Sequence, residues 1–361
     1  MCKKEYSFIF APMRRPKFFA ILIVVTTVLM TTFSFYTYQI MRSPNILVEK
    51  NDRIFIIHKN QSFDMVRDTL YRYGYIHDII SFSFLSKLMD YTEAIKPGRY
   101  LLKRDMNNIE AIRLLRAGNQ EPTTITFNII RLKEDLAEKI TSSISIGPSD
   151  FLKALENFEN SNSRNLDSYT SMTLFIPNTY QVYWTIEAEE LIEKMEIEHD
   201  KFWSSDREQK ALQMGMTPTE VSILASIVQA EARKREEGAI IAGLYINRLE
   251  AGMPLQADPT VVYASGEFGL KRVLTVHTQI DSPYNTYMYR GLPPGPINLP
   301  EIWAIDAVLN YQDHKFIYMC AKEDFSGNHS FATNLRDHNI NASRYQRALS
   351  AEQRKARQNA Q

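Results

Sequence analysis

The sequence predicts an α+β protein with a single N-terminal transmembrane helix, a small module of strands and helices, and a larger mixed α+β domain. A long uncharged apolar stretch follows the basic N-terminus. Downstream, apolar residues recur at helical spacing in several segments, and short alternating segments bounded by turn residues lie between them. The chain has 361 residues, so the part beyond the transmembrane helix is long enough for about two domains.

The N-terminal region combines a basic tail with an apolar helix. Residues 1–17 form the tail, and residues 18–40 are long and apolar enough to span a bilayer. Because positive charges stay on the cytoplasmic side, we expect the tail in the cytoplasm and about 320 residues outside it. A cleaved signal peptide is the alternative, but the apolar stretch is too long and no small-x-small cleavage site follows it. The sequence therefore predicts a single-pass membrane anchor.

The composition argues against several classes of partner and cofactor. Lys and Arg together number 42, as do Asp and Glu, so no basic excess indicates a nucleic-acid partner. The seven histidines show no ligand spacing, so we expect no metal site and no cofactor. Cys2 and Cys320 are the two cysteines, and the predicted topology separates them by the membrane, so they cannot pair.

The small module is expected over residues 45–120. The pattern predicts a strand, two helices, a returning strand and a further helix, at Arg53–His58, residues 62–74, Ser81–Tyr91, Arg99–Lys103 and Ile109–Arg116. The first four of these elements resemble a LysM-like module, a fold that often binds polysaccharide. The alternative is a spacer domain that holds the rest of the chain away from the membrane.

The mixed domain is expected over residues 121–350, followed by a charged, flexible tail at residues 351–361. Strands are predicted at Thr124–Arg131 and Lys315–Ala321, and helices at Lys133–Ile146, Glu187–Trp203, Gly238–Leu249 and Ser343–Leu349. The polar residues 147–170 predict a surface loop. In the aromatic segment 174–183, Phe175 is expected in the core, whereas Tyr180 is a candidate for a sugar-binding groove.

One helix of this domain carries a carboxylate in an unusual position. Thr217 and Glu220 predict a helix start with a capping box. Apolar residues then recur every three or four positions, and Glu231 continues this apolar stripe. Because burial raises the pKa of a carboxyl group, Glu231 is a candidate proton donor near neutral pH. The alternative is an ordinary surface ion pair of Glu231 with Lys234 or Arg235.

Two segments after this helix contain conformationally restricted residues. The Asp258-Pro259 pair predicts a turn. Proline and glycine are frequent in residues 282–297, which predicts a rigid, extended loop.

Six short motifs carry a resemblance to a known family. In chain order they are Ser226-Ile227-Val228-x-x-Glu231, Ile246-Asn247-Arg248-Leu249, Leu255-Gln256-x-Asp258-Pro259-Thr260, Tyr284-Asn285-Thr286-Tyr287, Gly291-Leu292-Pro293-Pro294-Gly295 and Asn334-x-x-x-His338-Asn339. The ordered set closely resembles the endolytic murein transglycosylases, the YceG-like or MltG family, over residues 45–350. The resemblance implies a bacterial inner-membrane enzyme whose extracytoplasmic domain holds and cuts peptidoglycan glycan strands in a cleft. It also suggests partners among the peptidoglycan synthases.

The same resemblance assigns roles to individual residues. The catalytic acid is the second glutamate of the family's E-x-E-T pattern, which corresponds to Glu231. Gln229 and Ala232 depart from the pattern, so an assisting first glutamate would be missing here. The residues expected to bind substrate are Gln256, Asp258, Tyr263, Asn285 and Tyr287. Their alternative role is loop scaffolding through hydrogen bonds from side chain to backbone.

One carboxyl group is sufficient for the implied reaction. Protonated Glu231 would donate to the oxygen between N-acetylmuramic acid and N-acetylglucosamine, and its carboxylate would then accept the proton of the muramoyl C6 hydroxyl. The product carries a 1,6-anhydro end. A hydrolytic muramidase that uses Asp258 as the second carboxylate is the first alternative. The second alternative is a non-catalytic scaffold that binds peptidoglycan.

Overall fold

The computed structural model describes residues 15–270 and 272–359, so most of the predicted cytoplasmic tail, including Cys2, lies outside the described residues. The chain divides into two compact units. The first unit extends to Pro122 and includes residues 183–185, and the second contains residues 123–182 and the chain from Ile186 onward.

Helix α1, Arg15–Arg42, is the apolar N-terminal helix of the first unit. Within the described residues it is the one helix long and apolar enough to cross a membrane. The hydroxyls of Thr27, Thr31 and Thr37 each donate to the carbonyl four residues earlier, at 2.8 Å. These bonds satisfy the hydroxyl donors within the helix itself.

The rest of the first unit contains two antiparallel strand pairs and three helices. The elements are β1 Pro44–Ile46, β2 Arg53–Ile57, α2 Phe63–Arg72, α3 Ile79–Leu88, β3 Gly98–Leu102, β4 Met106–Asn107 and α4 Asn108–Ala117. β2 pairs with β3 and β1 pairs with β4. The predicted order of strand, helix, helix, strand and helix is confirmed, and the buried residues include Phe82, Tyr100 and Ile112.

Local sequence explains the ends of α4. Asn107 and Glu110 form a capping box, because the Asn107 side chain accepts from the Glu110 amide at 2.9 Å and Glu110 accepts from the Asn107 amide at 3.1 Å. Gly118 ends the helix with a φ of +76°, a left-handed conformation that glycine adopts without strain.

The N-terminal half of the second unit packs helices around one strand pair. The elements are β5 Thr123–Thr126, α5 Lys133–Thr141, α6 Pro148–Asn160, β6 Thr179–Val182, α7 Ala188–Phe202 and α8 Ser205–Gln213. β5 pairs antiparallel with β6. A buried cluster that includes Phe151, Phe175 and Leu191 fills the space between these elements.

The surface loop predicted over residues 147–170 is wrong, because α6 occupies its first half. Phe151, Ala154 and Leu155 recur at helical spacing and are buried. Pro148 stands in the first turn, where no backbone donor is needed, and Asp150 accepts the Gly147 amide at 3.1 Å. The polar composition of residues 147–170 was interpreted as a loop, but the exposed side of an amphipathic helix is also polar.

The C-terminal half of the second unit contains the remaining helices and a hairpin. The elements are α9 Pro218–Glu231, α10 Gly238–Glu250, α11 Asp258–Ser265, α12 Ile302–Leu309, β7 Tyr318–Ala321, β8 His329–Ala332 and α13 Leu335–Asn359. A second buried cluster joins α9, α10 and α12. β7 and β8 pair antiparallel, and α13 packs against both.

Two C-terminal elements differ in length from the predictions. The last helix was expected at Ser343–Leu349 with a fraying tail, but α13 starts at Leu335 and continues to Asn359. The strand expected at Lys315–Ala321 is present over its last four residues. Its partner β8 was not predicted, because four residues with no clear alternation give little signal on their own.

Candidate active site

Glu231 is the last residue of α9 and points toward a groove. The capping box at the other end of α9 is present, with the Glu220 carboxylate accepting the Thr217 amide at 2.8 Å. Ile227 and Val228 are fully buried, and Glu231 is partly buried. The alternative surface ion pair is absent among the described residues, since Arg235 binds Glu301 at 2.8 Å instead.

Two cavities lie on either side of Glu231. The larger has a volume of about 490 Å³ and the smaller about 290 Å³. Glu231, Asp258, Ala321 and His329 line both cavities. The carboxyl group therefore stands on the wall that the two cavities share, as an acid that acts in the middle of a long substrate would.

Burial raises the pKa of Glu231 to about 7, and the negative charge of Asp258 adds to the increase. Two hydrogen-bond donors oppose this shift: the hydroxyl of Tyr245, 3.3 Å from Glu231 Oε1, and the backbone amide of Asp258. At neutral pH the group is therefore present in both protonation states. Such a group can donate a proton in one step and accept one in the next.

Asp258 is held by the start of α11 and by a tyrosine. The turn predicted at Asp258-Pro259 is wrong, because both residues belong to the first turn of α11. Proline is tolerated there, since the backbone N–H groups of the first turn have no acceptor within the helix. The hydroxyl of Tyr287 donates to Asp258 Oδ1 at 2.6 Å. Thr286 fixes the same segment, since its hydroxyl accepts the Ala257 amide at 3.0 Å.

The structure brings four of the expected binding residues to the groove. Asp258 lines both cavities, Tyr263 lines the larger one, and Gln256 and Tyr287 line the smaller one. The backbone of Gln256 has a φ of +50°, a conformation that costs energy for a residue with a side chain. Its amide donates to the Thr286 carbonyl at 3.0 Å, which helps to hold this conformation.

Two expected binding residues lie elsewhere, and their placement corrects the expectation. Tyr180 is buried in the core of the N-terminal half, stacked on Phe127, and its hydroxyl donates to the Ile176 carbonyl. Asn285 is fully buried, and its side-chain amide donates to the carbonyls of Thr278 and Ile280 at 3.0 and 2.7 Å. Both side chains are buried and already hydrogen-bonded to backbone carbonyls, and neither lines the two cavities.

Two groove residues were not singled out from the sequence. His329 lines both cavities, and the carboxylate of Glu237 accepts its backbone amide at 2.8 Å and lies 3.0 Å from its Nδ1. Tyr245, on α10, donates to Glu231. The histidine had no recognisable spacing to another functional residue, because its partner Glu237 is 92 positions away in sequence.

Gln229 does not line either cavity. Its side-chain nitrogen donates to Asn298 Oδ1 at 2.8 Å and to the Leu299 carbonyl at 3.3 Å, and its oxygen accepts the Glu301 amide at 2.7 Å. The side chain is buried. Gln229 therefore fastens the segment before α12 to α9.

Within the part of the chain that the structure describes, no group of three His, Cys, Asp or Glu residues is arranged to hold a metal ion. The groove offers carboxyl, hydroxyl and imidazole groups.

Comparisons with known proteins give a consistent result. The model of the YceG-like family matches residues 55–344. An endolytic murein transglycosylase of Streptococcus pneumoniae D39 is 27% identical over 371 aligned residues, which cover 91% of this chain and 65% of the relative. One of Bacillus subtilis is 39% identical over 122 residues, 34% of this chain and 33% of the relative. The chain thus spans about two thirds of the length of the pneumococcal relative.

A solved structure is also similar. The crystal structure of a YceG-like protein from Listeria monocytogenes aligns with a TM-score of 0.53 and 25% sequence identity. The alignment covers 80% of this chain and 98% of the Listeria chain.

Proposed function

Because the chain belongs to the YceG-like family, we propose that it is an endolytic lytic transglycosylase that cuts peptidoglycan glycan strands in cell-wall biogenesis. The bond cut joins N-acetylmuramic acid to N-acetylglucosamine. The observation that carries the proposal is the position of Glu231, a partly buried acid with a pKa of about 7 on the wall shared by two cavities. The names of the pneumococcal and Bacillus relatives support the same activity.

The proposed mechanism moves one proton out of Glu231 and another into it. The protonated acid donates to the glycosidic oxygen, and the bond from that oxygen to C1 of the muramoyl ring breaks. The C6 hydroxyl of the same ring then attacks C1 and gives its proton to the Glu231 carboxylate. The acid is regenerated, water is not consumed, and the new end is a 1,6-anhydro ring. A pKa near 7 suits both steps.

Asp258 is the proposed stabiliser of the positive charge that develops at C1. Its carboxylate faces the same cavities as Glu231, and the Tyr287 hydroxyl holds it in place. A fixed negative charge lowers the energy of an oxocarbenium-like transition state. Gln256, Tyr263 and Tyr287 are the proposed sugar-binding residues of the groove walls.

A hydrolytic muramidase is the second candidate. The observation that favours it is again Asp258, because a second carboxylate on the same groove wall is the partner that hydrolysis requires. In that reaction water attacks C1, and the product has a reducing end. The two products differ in mass by one water molecule.

The first unit provides the proposed attachment to the membrane and to the wall. We propose that α1 crosses the bacterial inner membrane with its N-terminus in the cytoplasm, which leaves the second unit outside. The small LysM-like module is proposed to bind glycan. Peptidoglycan synthases are the proposed protein partners, since they make the strands that this enzyme would cut.

Product analysis tests the function directly. The full chain, purified in detergent, is incubated with uncrosslinked glycan strands, and the products are identified by mass spectrometry. We expect 1,6-anhydro ends from the wild-type chain and none from Glu231→Gln, which keeps the size of the side chain but cannot cycle a proton. Glu236→Gln is the matched control, because Glu236 is an exposed acid five positions along the chain that lines neither cavity.

Two outcomes would contradict the proposal. Reducing ends that are lost with Asp258→Asn would favour the muramidase. The absence of any product that depends on Glu231 would exclude both enzymes and leave the non-catalytic scaffold.

A further inference from the structure

The larger of the two cavities has a strongly basic wall. Four of its described lining residues carry positive charge, namely Arg131, Arg233, Arg272 and Lys322. Its two acids are Glu231 and Asp258, which stand on the side shared with the smaller cavity. In the smaller cavity Arg248 is the basic residue among those described, and its guanidinium donates to the carbonyls of Ile317 and Leu255. The free positive charge is therefore confined to one side of the acid.

Three of these cations have no carboxylate partner in the described part of the chain. Lys322 pairs with Asp324 at 3.2 Å, whereas Arg131, Arg233 and Arg272 lie within 4.0 Å of no described acidic group. Elsewhere in the same unit three arginines do have carboxylate partners: Arg164 with Glu196, Arg207 with Asp306 and Arg235 with Glu301.

Arg131 is also held in position without being neutralised. Its guanidinium lies over the ring of Phe268, 5.2 Å from the centroid, and Phe268 lines the same cavity. This contact restricts the long side chain, and its N–H groups have no hydrogen-bond acceptor among the described residues. A planar guanidinium in this state is well suited to bind a carboxylate through two hydrogen bonds.

The basic residues do not act on the catalytic acid. The causes of the raised Glu231 pKa are burial and Asp258, and the groups that oppose the shift are Tyr245 and the Asp258 amide. No arginine is among them, and no basic side chain of the described residues forms an ion pair with Glu231. The charge of the basic wall is available for another group in the cavity.

We infer that the basic wall binds the carboxylates of the stem peptides attached to the muramoyl residues of the substrate, and so selects strands that still carry those peptides. The inference rests on the proposed function. The sugar rings of the strand carry hydroxyl and acetamido groups, which are neutral. The anionic groups along the strand are the peptide carboxylates, and the peptide leaves the ring that is directly beside the cleaved bond.

Binding to a catalytically inactive chain separates recognition from chemistry. The full Glu231→Gln chain is titrated by calorimetry with uncrosslinked strands that carry stem peptides. It is also titrated with the same strands after an amidase has removed the peptides and the lactyl carboxylates freed by that cleavage have been converted into neutral methylamides. We expect the peptide-bearing strands to bind about tenfold more tightly, which corresponds to two or three exposed ion pairs. The difference should shrink between about 0.05 M and about 0.5 M salt because exposed charges are screened.

Variants assign the effect to the arginines. In the Glu231→Gln chain, the additional pair Arg131→Gln and Arg233→Gln should remove most of the preference and leave the affinity for stripped strands unchanged. Arg336→Gln is the control, because Arg336 is an exposed arginine of α13 that lines neither cavity. Equal affinity for both kinds of strand, or an equal loss on both in the arginine variants, would overturn the inference.

Cleavage by the chain with Glu231 intact distinguishes this inference from the proposed function. If both strands are bound with the expected preference but neither is cut, the proposed activity fails and the basic wall remains a peptide-binding site. If both are cut with the same kcat/KM, the activity stands and the inference fails.

Discussion

Glu231 shows how one residue acquires its chemistry from its surroundings. An exposed glutamate has a pKa near 4.5, whereas burial and the charge of Asp258 raise that of Glu231 to about 7. No basic side chain in the described residues lies within ion-pair distance of it, and the Tyr245 hydroxyl donates to it over 3.3 Å. Gln229, two positions earlier, cannot titrate, and its side chain is committed to the backbone and side chain of the 298–301 segment.

The first prediction concerns pH dependence. Activity that requires protonated Glu231 falls as the pH rises through its pKa, so the alkaline limb of kcat/KM should lie near pH 7. Asp258→Asn removes a charge that raises this pKa, so the limb should move to lower pH, although burial keeps it above the value of an exposed glutamate. Initial rates of anhydro-end formation between about pH 4 and pH 9 measure this shift.

The position of the limb is the diagnostic quantity, because Asp258→Asn also lowers the rate if Asp258 stabilises the transition state. Asp313→Asn, a change at an exposed acid that lines neither cavity, should leave the limb in place. An unchanged limb in Asp258→Asn would show that Asp258 does not influence the acid.

The second prediction concerns Gln229. Gln229→Ala removes the partners of Asn298 Oδ1 and of the Glu301 amide in a buried site, so the free energy of unfolding should fall by about 2 kcal/mol or more. Thermal unfolding of the full chain measures the change. Gln209→Ala, at an exposed position of α8, should have almost no effect. Equal unfolding temperatures for the two variants would contradict a structural role for Gln229.

At the scale of elements, the groove is formed by the ends of secondary structures. Glu231 ends α9, Asp258 starts α11, and His329 starts β8. The backbone of its own element positions each of these residues. The long segment between α11 and α12 forms part of the wall of the larger cavity. Ile297 and Asn298 of that segment line the larger cavity. Its fit against the rest of the unit therefore affects the shape of the groove.

The third prediction tests this fit at Gly295. A Cβ at this position would overlap the backbone carbonyl of Tyr169 and lie 2.9 Å from the Tyr284 hydroxyl. Gly295→Ala should therefore destabilise the unit by about 2 kcal/mol and lower kcat/KM, because the segment must move away. Gly269→Ala is the control, since a Cβ there meets nothing within 4 Å. The expectation fails if both glycine variants unfold at the wild-type temperature.

At the scale of the whole molecule, the apolar N-terminal helix α1 belongs to the first of the two units. The last turn of α1 belongs to the folded part of the first unit, since Ile40 and Met41 pack against its core and the Ile40 carbonyl accepts from Asn108 at 3.1 Å. A truncation that removes the whole of α1 would expose this core. A truncation that keeps the core of the first unit intact therefore has to end before Ile40.

The fourth prediction uses this limit. A chain that lacks residues 2–36 loses most of the apolar helix and keeps the turn that packs on the module. We expect it in the soluble fraction after cell lysis, whereas the full chain sediments with membranes and is released by detergent but not by high salt. Sedimentation of the truncated chain with membranes would show that another part of the protein binds the bilayer.

Much of the secondary structure was predictable because it depends on nearby residues. The capping boxes of α4 and α9 and the Gly118 terminator are contained in a few consecutive positions. The errors occurred in two helices. The polar residues on the exposed side of α6 made its segment resemble a loop. In α13 the helix extends well beyond the residues 343–349 that were predicted to be helical.

The site was only partly predictable, because several of its residues meet across long separations. Glu231 was identified from its place on an apolar stripe, and the motifs that resemble the family added Asp258 and Tyr287. The same motifs also indicated Asn285, which the fold buries under its own loop carbonyls. A motif gives only residue types and their spacing. It does not distinguish a side chain that faces a substrate from one that holds the loop in place.

The sequence by itself determined the apolar N-terminal helix, the capped helix that carries Glu231 and the family resemblance, because each is a property of neighbouring residues or of short ordered motifs. The tertiary structure alone decided the environment of Glu231: the charge of Asp258, 27 positions away, the hydroxyl of Tyr245 on the next helix and the two cavities. It also placed Arg131 and Arg233 on one cavity wall, where no acidic residue of the described ranges pairs with them. A pKa and a binding surface depend on distances through space, which the order of residues along the chain does not specify.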